Sequence, residues 1–330
     1  MKFLIIRFSS IGDIVLTTPV MRCLKQQLLS SEVHFATRAA FHDIVEPNPY
    51  IDKRHYLKED LNELIAELRQ EDFDYIIDLH HNLRTLKVKR ALGRKSFSFN
   101  KLNVEKWLIT AFKVNRLPAT HIVQRYLDTL KPFGVFDDGL GLDYFIPEKD
   151  IVPVSDIPVS HQAGYIACVI GAALNTKRYP LHKWKEVCTR LDHPIIIMGG
   201  KDDANAGAEL EAIDPYKIYN ACGKFRLNES ADLVRRSKVV VTNDTGLMHI
   251  ASAFRKPIIS LWGNTIPEFG MYPYFGTRDT MKQPFDVLET KGLSCRPCSK
   301  IGYSKCPLGH FKCMENITAN TVLAAIENRR

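Results

Sequence analysis

Val239-Val240-Val241-Thr242-Asn243-Asp244-Thr245-Gly246-Leu247-Met248-His249 reads as an apolar strand that breaks into a small polar turn and re-enters a helix. A helix start leaves backbone N–H groups unpaired, and with the positive end of the helix dipole these favour an anion such as a diphosphate. Thr245 adds a hydroxyl, Gly246 removes the side chain that would block close approach, and His249 follows one turn further on the same face. Asp244 has a simpler reading as a plain helix N-cap.

Working outward, further apolar runs occur at 3–6, 33–36, 75–79, 165–170, 194–198 and 257–262, with helical segments between them. Short, continuous β-rich runs separated by amphipathic helices indicate α/β domains with parallel sheets covered on both faces. A chain of 330 residues exceeds what one core usually organises, so two Rossmann-like domains are expected. The stretch 146–158 holds three prolines and no periodicity, which places the linker there and the domains at 1–150 and 151–330. A final helix, about 318–328, is expected to cross back to the first domain.

Hydrophobic residues make up 45% of the chain and charged residues 25%, as in a folded globular protein, and no apolar run is long enough to span a bilayer. The amino-terminal apolar run meets Arg7 without a small-residue cleavage site, so it reads as a first strand and the protein as cytoplasmic. The formal charge of +8 suits an anionic partner. Between Asp78 and Arg116 ten Lys or Arg residues, Arg84 among them, face only Asp78 and Glu105, which gives either a basic binding face or a solvated helix surface.

The first strand runs into Arg7-Phe8-Ser9-Ser10-Ile11-Gly12-Asp13-Ile14-Val15. In an open parallel sheet ligands sit beyond the carboxyl ends of strands. This loop lacks the G-x-G-x-x-G spacing of a dinucleotide site, which argues against a nicotinamide-dependent dehydrogenase. It offers two hydroxyls (Ser9, Ser10), a glycine (Gly12) and a carboxylate, Asp13, placed to accept a proton from an incoming hydroxyl. Asp13 also reads as a first-turn aspartate complementing a helix dipole.

In the second half Gly171-Ala172-Ala173-Leu174-Asn175-Thr176-Lys177-Arg178-Tyr179-Pro180 follows a strand, and Pro180 opens a helix containing Trp184. Lys177 there can neutralise a phosphate as a point charge. Gly199-Gly200-Lys201-Asp202-Asp203 supplies carboxylates suited to ribose hydroxyls or, more plainly, to a helix cap. Four of the eight cysteines, Cys295, Cys298, Cys306 and Cys313, fall within nineteen residues. In a cytosolic protein that grouping suits a structural zinc better than disulfides, although the Cys-x6-Cys spacing of the second pair weakens it against reduced thiols in a packed loop.

These segments, together with Asp78-Leu79 followed by Asn82 and Arg84, resemble in order and type glycosyltransferase family nine, the lipopolysaccharide heptosyltransferases. The resemblance implies a GT-B fold, with two Rossmann-like domains facing a central cleft, the amino-terminal one binding acceptor and the carboxyl-terminal one a nucleotide-sugar. It implies inverting, metal-independent transfer of heptose from ADP-heptose to a lipid A-linked inner-core acceptor, with no cofactor. Asp13 matches the general base, and Lys177, Asp244, Thr245, Gly246 and His249 match donor phosphate positions. Asp203 matches a ribose-contacting position, while Ser9, Ser10, Gly12 and Arg84 are acceptor-side candidates. Ala172 and Ala173 depart from members with hydroxyl side chains before the lysine, which leaves another nucleotide-sugar or glycan acceptor as the alternative.

The basic first half also suits a phosphorylated acceptor and peripheral contact with the anionic inner face of a membrane. A nucleic-acid-binding protein would account for the charge and the cysteines, but for neither Asp13 nor the Lys177 and Asp244–His249 turns, and no nucleic acid is expected.

Overall fold

The continuous apolar runs become the inner strands of two parallel sheets. In the first, β1 (Lys2–Ile6), β2 (Glu32–Arg38), β3 (Lys53–Leu57), β4 (Tyr75–Asp78) and β5 (Lys95–Ser98) lie in the order β3-β2-β1-β4-β5. In the second, β6 (Ile166–Val169), β7 (Ile195–Met198), β8 (Ile218–Asn220), β9 (Val239–Asn243), β10 (Ile258–Trp262) and β11 (Phe285–Glu289) lie in the order β11-β10-β9-β6-β7-β8. The structure is a computed structural model and describes residues 1–278 and 283–330.

The four edge strands β3, β5, β8 and β11 are those the apolar pattern misses. Their sequences, KRHYL, KSFS, IYN and FDVLE, mix polar and apolar residues because an edge is covered less completely than a strand flanked on both sides. The inner strands β1, β6, β9 and β10 are almost wholly buried.

Two compact units follow from the contacts. One comprises Met1–Lys101, Thr120–Phe145 and a short return beginning at Phe275; the other comprises Leu102–Ala119, Ile146–Tyr274 and the carboxyl-terminal segment. The division is therefore not a single cut, since residues 102–119 cluster with the second unit. The proline-rich stretch after Ile146 is tied down within that unit. Val152 N donates to Asp232 Oδ2 at 3.0 Å, Arg236 Nη2 donates to Val152 O at 2.6 Å, and Asn228 Nδ2 donates to Asp150 Oδ2 at 2.9 Å. Its prolines open two 3-10 turns, Glu148–Asp150 and Val154–Asp156, and the helix Leu227–Arg236 supplies the polar partners.

The last helix, Ala319–Glu327, has its apolar stripe in the second unit. Thr318 caps it, and Ala319, Val322, Ala325 and Ile326 pack into the second unit's core with Trp184, Val187, Ile259 and Leu261. Burying this apolar stripe against β10 and the helix Leu181–Arg190 satisfies it locally. Among the described residues no helix is long and apolar enough to cross a membrane.

Strand order fixes where ligands can enter. In the first sheet the winding reverses between β1 and β4, and in the second between β6 and β9. Crevices outside the carboxyl ends of strands at such switch points are where open α/β sheets bind ligands.

Candidate active site

At the second sheet's switch point, Asn243 ends β9 and stitches the neighbouring loop to it. Its Nδ2 donates to Ile170 O at 3.0 Å, and its Oδ1 accepts from Tyr179 N at 3.0 Å. The loop between them carries Lys177, whose Nζ lies 2.6 Å from Asp244 Oδ2, and Thr265 Oγ1 donates to the same oxygen at 3.0 Å. Asp244 is thus not the helix cap. Thr245 holds that position, and its hydroxyl makes no capping hydrogen bond. The helix Gly246–Ala253 starts here with a glycine at its first position, and His249 is buried within it. Lys177, Asp244, Thr245, Gly246 and His249 therefore share one loop pair and one helix.

Asn264 and Thr265, which the sequence reading passes over, follow β10 beside this turn. The Asn264 side chain is buried, and among the described residues neither its Nδ2 nor its Oδ1 has a hydrogen-bond partner. An unsatisfied buried amide costs about 1–3 kcal/mol, so such a group ordinarily has an ordered water or a ligand as its partner. The signal was present: Gly263-Asn264-Thr265 after an apolar strand repeats the small polar turn read after β9.

Asp203 lies one strand over, after β7. Its Oδ1 accepts from Arg178 Nη1 at 2.7 Å and its Oδ2 from Gly200 N at 2.8 Å, closing the Gly199-Gly200 turn. A Cβ on Gly171 would sit 2.4 Å from Asp203 Oδ2, so glycine is required for this approach. Arg178, Asp203, Asn175, Tyr179 and Trp184 line part of a cleft of about 190 Å³. A larger cleft of about 340 Å³, lined by Ile109, Lys113, Glu289 and Arg296 among others, includes none of the predicted site residues. The chemistry therefore points to the smaller one.

The first unit has its own constellation at the β1/β4 switch point. Asp13 is the third residue of the short helix Ile11–Val15; its Oδ2 accepts from Ser10 Oγ at 2.8 Å, and its Oδ1 lies 2.5 Å from Arg7 Nη2. Both readings of Asp13 thus have a counterpart, since it closes a capping box and stands at the mouth of the sheet. Arg7, buried, also donates to Ser9 O at 2.7 Å and to the Tyr126 hydroxyl at 3.0 Å, which fixes the loop holding Ser9, Ser10 and Gly12. After β4, Asp78 Oδ1 accepts from His81 N at 2.7 Å, and its Oδ2 lies 2.8 Å from Lys89 Nζ. Burial, with the positive charges of Arg7 and Lys101, pushes His80 down to about 4, so this ring is neutral at physiological pH. Arg7, His80 and Tyr126 are the residues sequence reasoning missed here.

The basic stretch divides. Lys89 is committed to Asp78 and Arg94 to Asp72, while Arg84, Lys87, Arg90 and Lys95 are exposed. In the second unit the helix Asn103–Phe112 exposes Val104, Trp107 and Phe112, and Lys113 Nζ donates to Pro297 O at 2.7 Å. Cys295, Cys298 and Cys306 are half-buried and Cys313 buried, all as free thiols. His310 Nε2 lies 3.9 Å from Cys295 Sγ, but among the described residues these thiols do not bring three ligand atoms within 4.8 Å of one another.

The sequence model of "Glycosyltransferase family 9 (heptosyltransferase)" matches residues 61–282. Lipopolysaccharide heptosyltransferase 1 of Campylobacter coli is 26% identical over 290 residues, covering 80% of this chain and 84% of that protein. Among solved structures, the family 9 glycosyltransferase of Veillonella parvula DSM 2008 superposes with a TM-score of 0.79 at 24% identity, over 99% of this chain and 96% of that one. The E. coli heptosyltransferase WaaC with ADP gives 0.71 at 19% identity, over 100% of each chain.

Proposed function

Since the chain belongs to glycosyltransferase family 9, we propose that it is an inverting, metal-independent heptosyltransferase acting on ADP-heptose and a lipid A-linked inner-core acceptor of lipopolysaccharide. The observation that carries the donor half is the Lys177–Asp244 pair beside the start of the helix Gly246–Ala253. A departing diphosphate needs positive charge and N–H donors placed in advance, and this turn has both. Lys177 and the first-turn N–H groups take the phosphates, with the Thr245 hydroxyl and His249 nearby. The cleft lined by Arg178 and Asp203 takes the ribose end. The Asn264 amide is a hydrogen-bonding group for the sugar.

In the first unit Asp13 takes the proton of the attacking acceptor hydroxyl while Arg7 and Ser10 hold its carboxylate in place. Ser9, Gly12 and Arg84 belong to the acceptor side, and the exposed cations after Asn82 suit its phosphates. The fatty end of such an acceptor places the enzyme at the inner face of the inner membrane. The exposed Trp107 and Phe112, an aromatic pair with ring centroids 5.0 Å apart, suit a peripheral contact from the cytoplasmic side. The four carboxyl-terminal thiols suit a structural zinc outside the transfer chemistry.

Another nucleotide-sugar is the second reading, favoured by Ala172 and Ala173 where a phosphate loop could carry hydroxyls. Incubating the full chain with extracted lipid acceptor and single donors, then weighing the product by mass spectrometry, separates the two. A heptose increment from ADP-heptose supports the first reading. Transfer of a different sugar alone, with none from ADP-heptose, overturns it.

A further inference from the structure

Midway along β2 and β3, remote in sequence from the Asp13 loop, two fully buried histidines face one another from adjacent strands. His34 on β2 presents Nδ1 to Nε2 of His55 on β3 at 2.9 Å. Glu71, which precedes β4, brings Oε2 to 3.9 Å from His34 Nδ1, and the three ligand atoms lie within 4.8 Å of one another. The outer nitrogens are held as well: His34 Nε2 is 2.8 Å from Glu32 Oε1, and His55 Nδ1 is 2.5 Å from Glu67 Oε1. Lys2 Nζ at 3.4 Å and Lys53 secure the Glu71 carboxylate, and Phe73 stands edge-on to both rings.

Hydrogen counting shows what this arrangement asks for. A carboxylate only accepts, so the outer nitrogens must each carry a hydrogen toward Glu32 and Glu67. The two facing nitrogens then have a single position between them, filled by one hydrogen or by a cation; left empty, two lone pairs would confront each other in a buried space. Three carboxylates against two lysines leave the surroundings with one net negative charge, which also favours a cation there. Histidines whose second N–H rests on a carboxylate are the usual form of metal-bound histidine.

We propose that His34 Nδ1, His55 Nε2 and a Glu71 oxygen form a binding site for a divalent first-row cation of the zinc type, which displaces the single shared hydrogen as a proton. Two imidazoles and one carboxylate with a water in the fourth position is a donor set that zinc accepts. Zinc–nitrogen bonds of about 2.0–2.1 Å in a tetrahedron put the two nitrogens roughly 3.3 Å apart, so the rings need to open by only a few tenths of an ångström. The ion would pin the edge strand β3 and the Glu71 turn to β2. It takes no part in sugar transfer.

The test uses the full chain stripped with a chelator and then titrated with Zn²⁺, bound metal being measured by competition with a chromogenic chelator and by elemental analysis. The carboxyl-terminal thiols are silenced in a Cys295→Ser/Cys298→Ser chain. That chain should bind one zinc with half-saturation below a micromolar, and its melting temperature should rise with zinc. Adding His34→Gln should abolish the binding, and Glu71→Gln should weaken it at least tenfold. Glu71→Gln lies at the rim of the cluster and keeps the shape, so it stands in if His34→Gln fails to fold. The proposal is overturned if the thiol-silenced chain binds no zinc below a millimolar, or if binding is the same with and without Glu71→Gln.

Discussion

Lys177 Nζ lies 2.6 Å from Asp244 Oδ2, joining the loop after β6 to the turn after β9 across sixty-seven positions of sequence. The lysine is therefore held in place before any ligand arrives, and a diphosphate gains a cation whose side-chain entropy is already spent.

Removing that cation should be felt in nucleotide binding. A charge-assisted hydrogen bond contributes roughly 1.5–3 kcal/mol, so Lys177→Ala is expected to weaken ADP about 10- to 150-fold by calorimetry. The fold should persist, because Asp244 keeps Thr265 as a partner. Unchanged ADP affinity would remove Lys177 from the donor site.

Asp13→Asn is expected to lower turnover about 10²–10⁴-fold, the usual cost of losing a general base. The Arg7 contact adds a second consequence: the buried guanidinium loses its counter-charge, so the melting temperature should also fall. Ser10→Ala separates the two effects. It costs the cap about 0.5–2 kcal/mol while leaving the carboxylate, so it should lower stability and retain most turnover. Equal turnover losses in both variants would return Asp13 to a structural role.

His80 gives a pH signature. Its folded-state value, pushed down to about 4 by burial and by Arg7 and Lys101, lies below that of the unfolded chain near 6.5. The unfolded state then binds the proton first, so the contribution is intact above about pH 6.5 and is lost as pH falls toward 4. With the ring partly exposed, the loss is about 1–2 kcal/mol. Denaturant midpoints of wild type and His80→Gln should converge with acidification through this window. A constant difference from pH 7 to 4 would refute the assignment.

Gly171→Ala tests the approach of the β6 and β7 loops. The added methyl would meet Asp203 Oδ2 at 2.4 Å and must displace the carboxylate from Arg178 and the Gly200 amide. Lower ADP affinity with an intact far-ultraviolet circular dichroism spectrum is the expected result. Wild-type affinity would show that Asp203 and its turn are not part of the nucleotide site.

The residues that sequence made legible are those whose role is local. The Asn243–Gly246 turn, the Asp13 loop and the Lys177 loop each declare themselves by an apolar run ending in small polar residues. Those that stayed hidden depend on a distant partner. Arg7 looks like any charge after a strand until Asp13 and Tyr126 close on it; His34 and His55 look like polar residues in half-buried strands until parallel pairing sets them ring to ring. The core partners of the terminal helix, Trp184 and Leu261 among them, are hidden in the same way, since an amphipathic stripe says that a face is buried and not against what.

By itself the sequence determined the inner strands and the anion-ready turns, because backbone propensity, side-chain periodicity and unpaired helix N–H groups are properties of a few consecutive residues. Tertiary structure alone decided that β1 neighbours β4 and β6 neighbours β9. Parallel strands are joined by crossovers of a dozen or more residues, so their order is set by which faces pack together over long separations. That order brings Arg7 and Asp13 beside His80 in one unit and Lys177 onto Asp244 in the other.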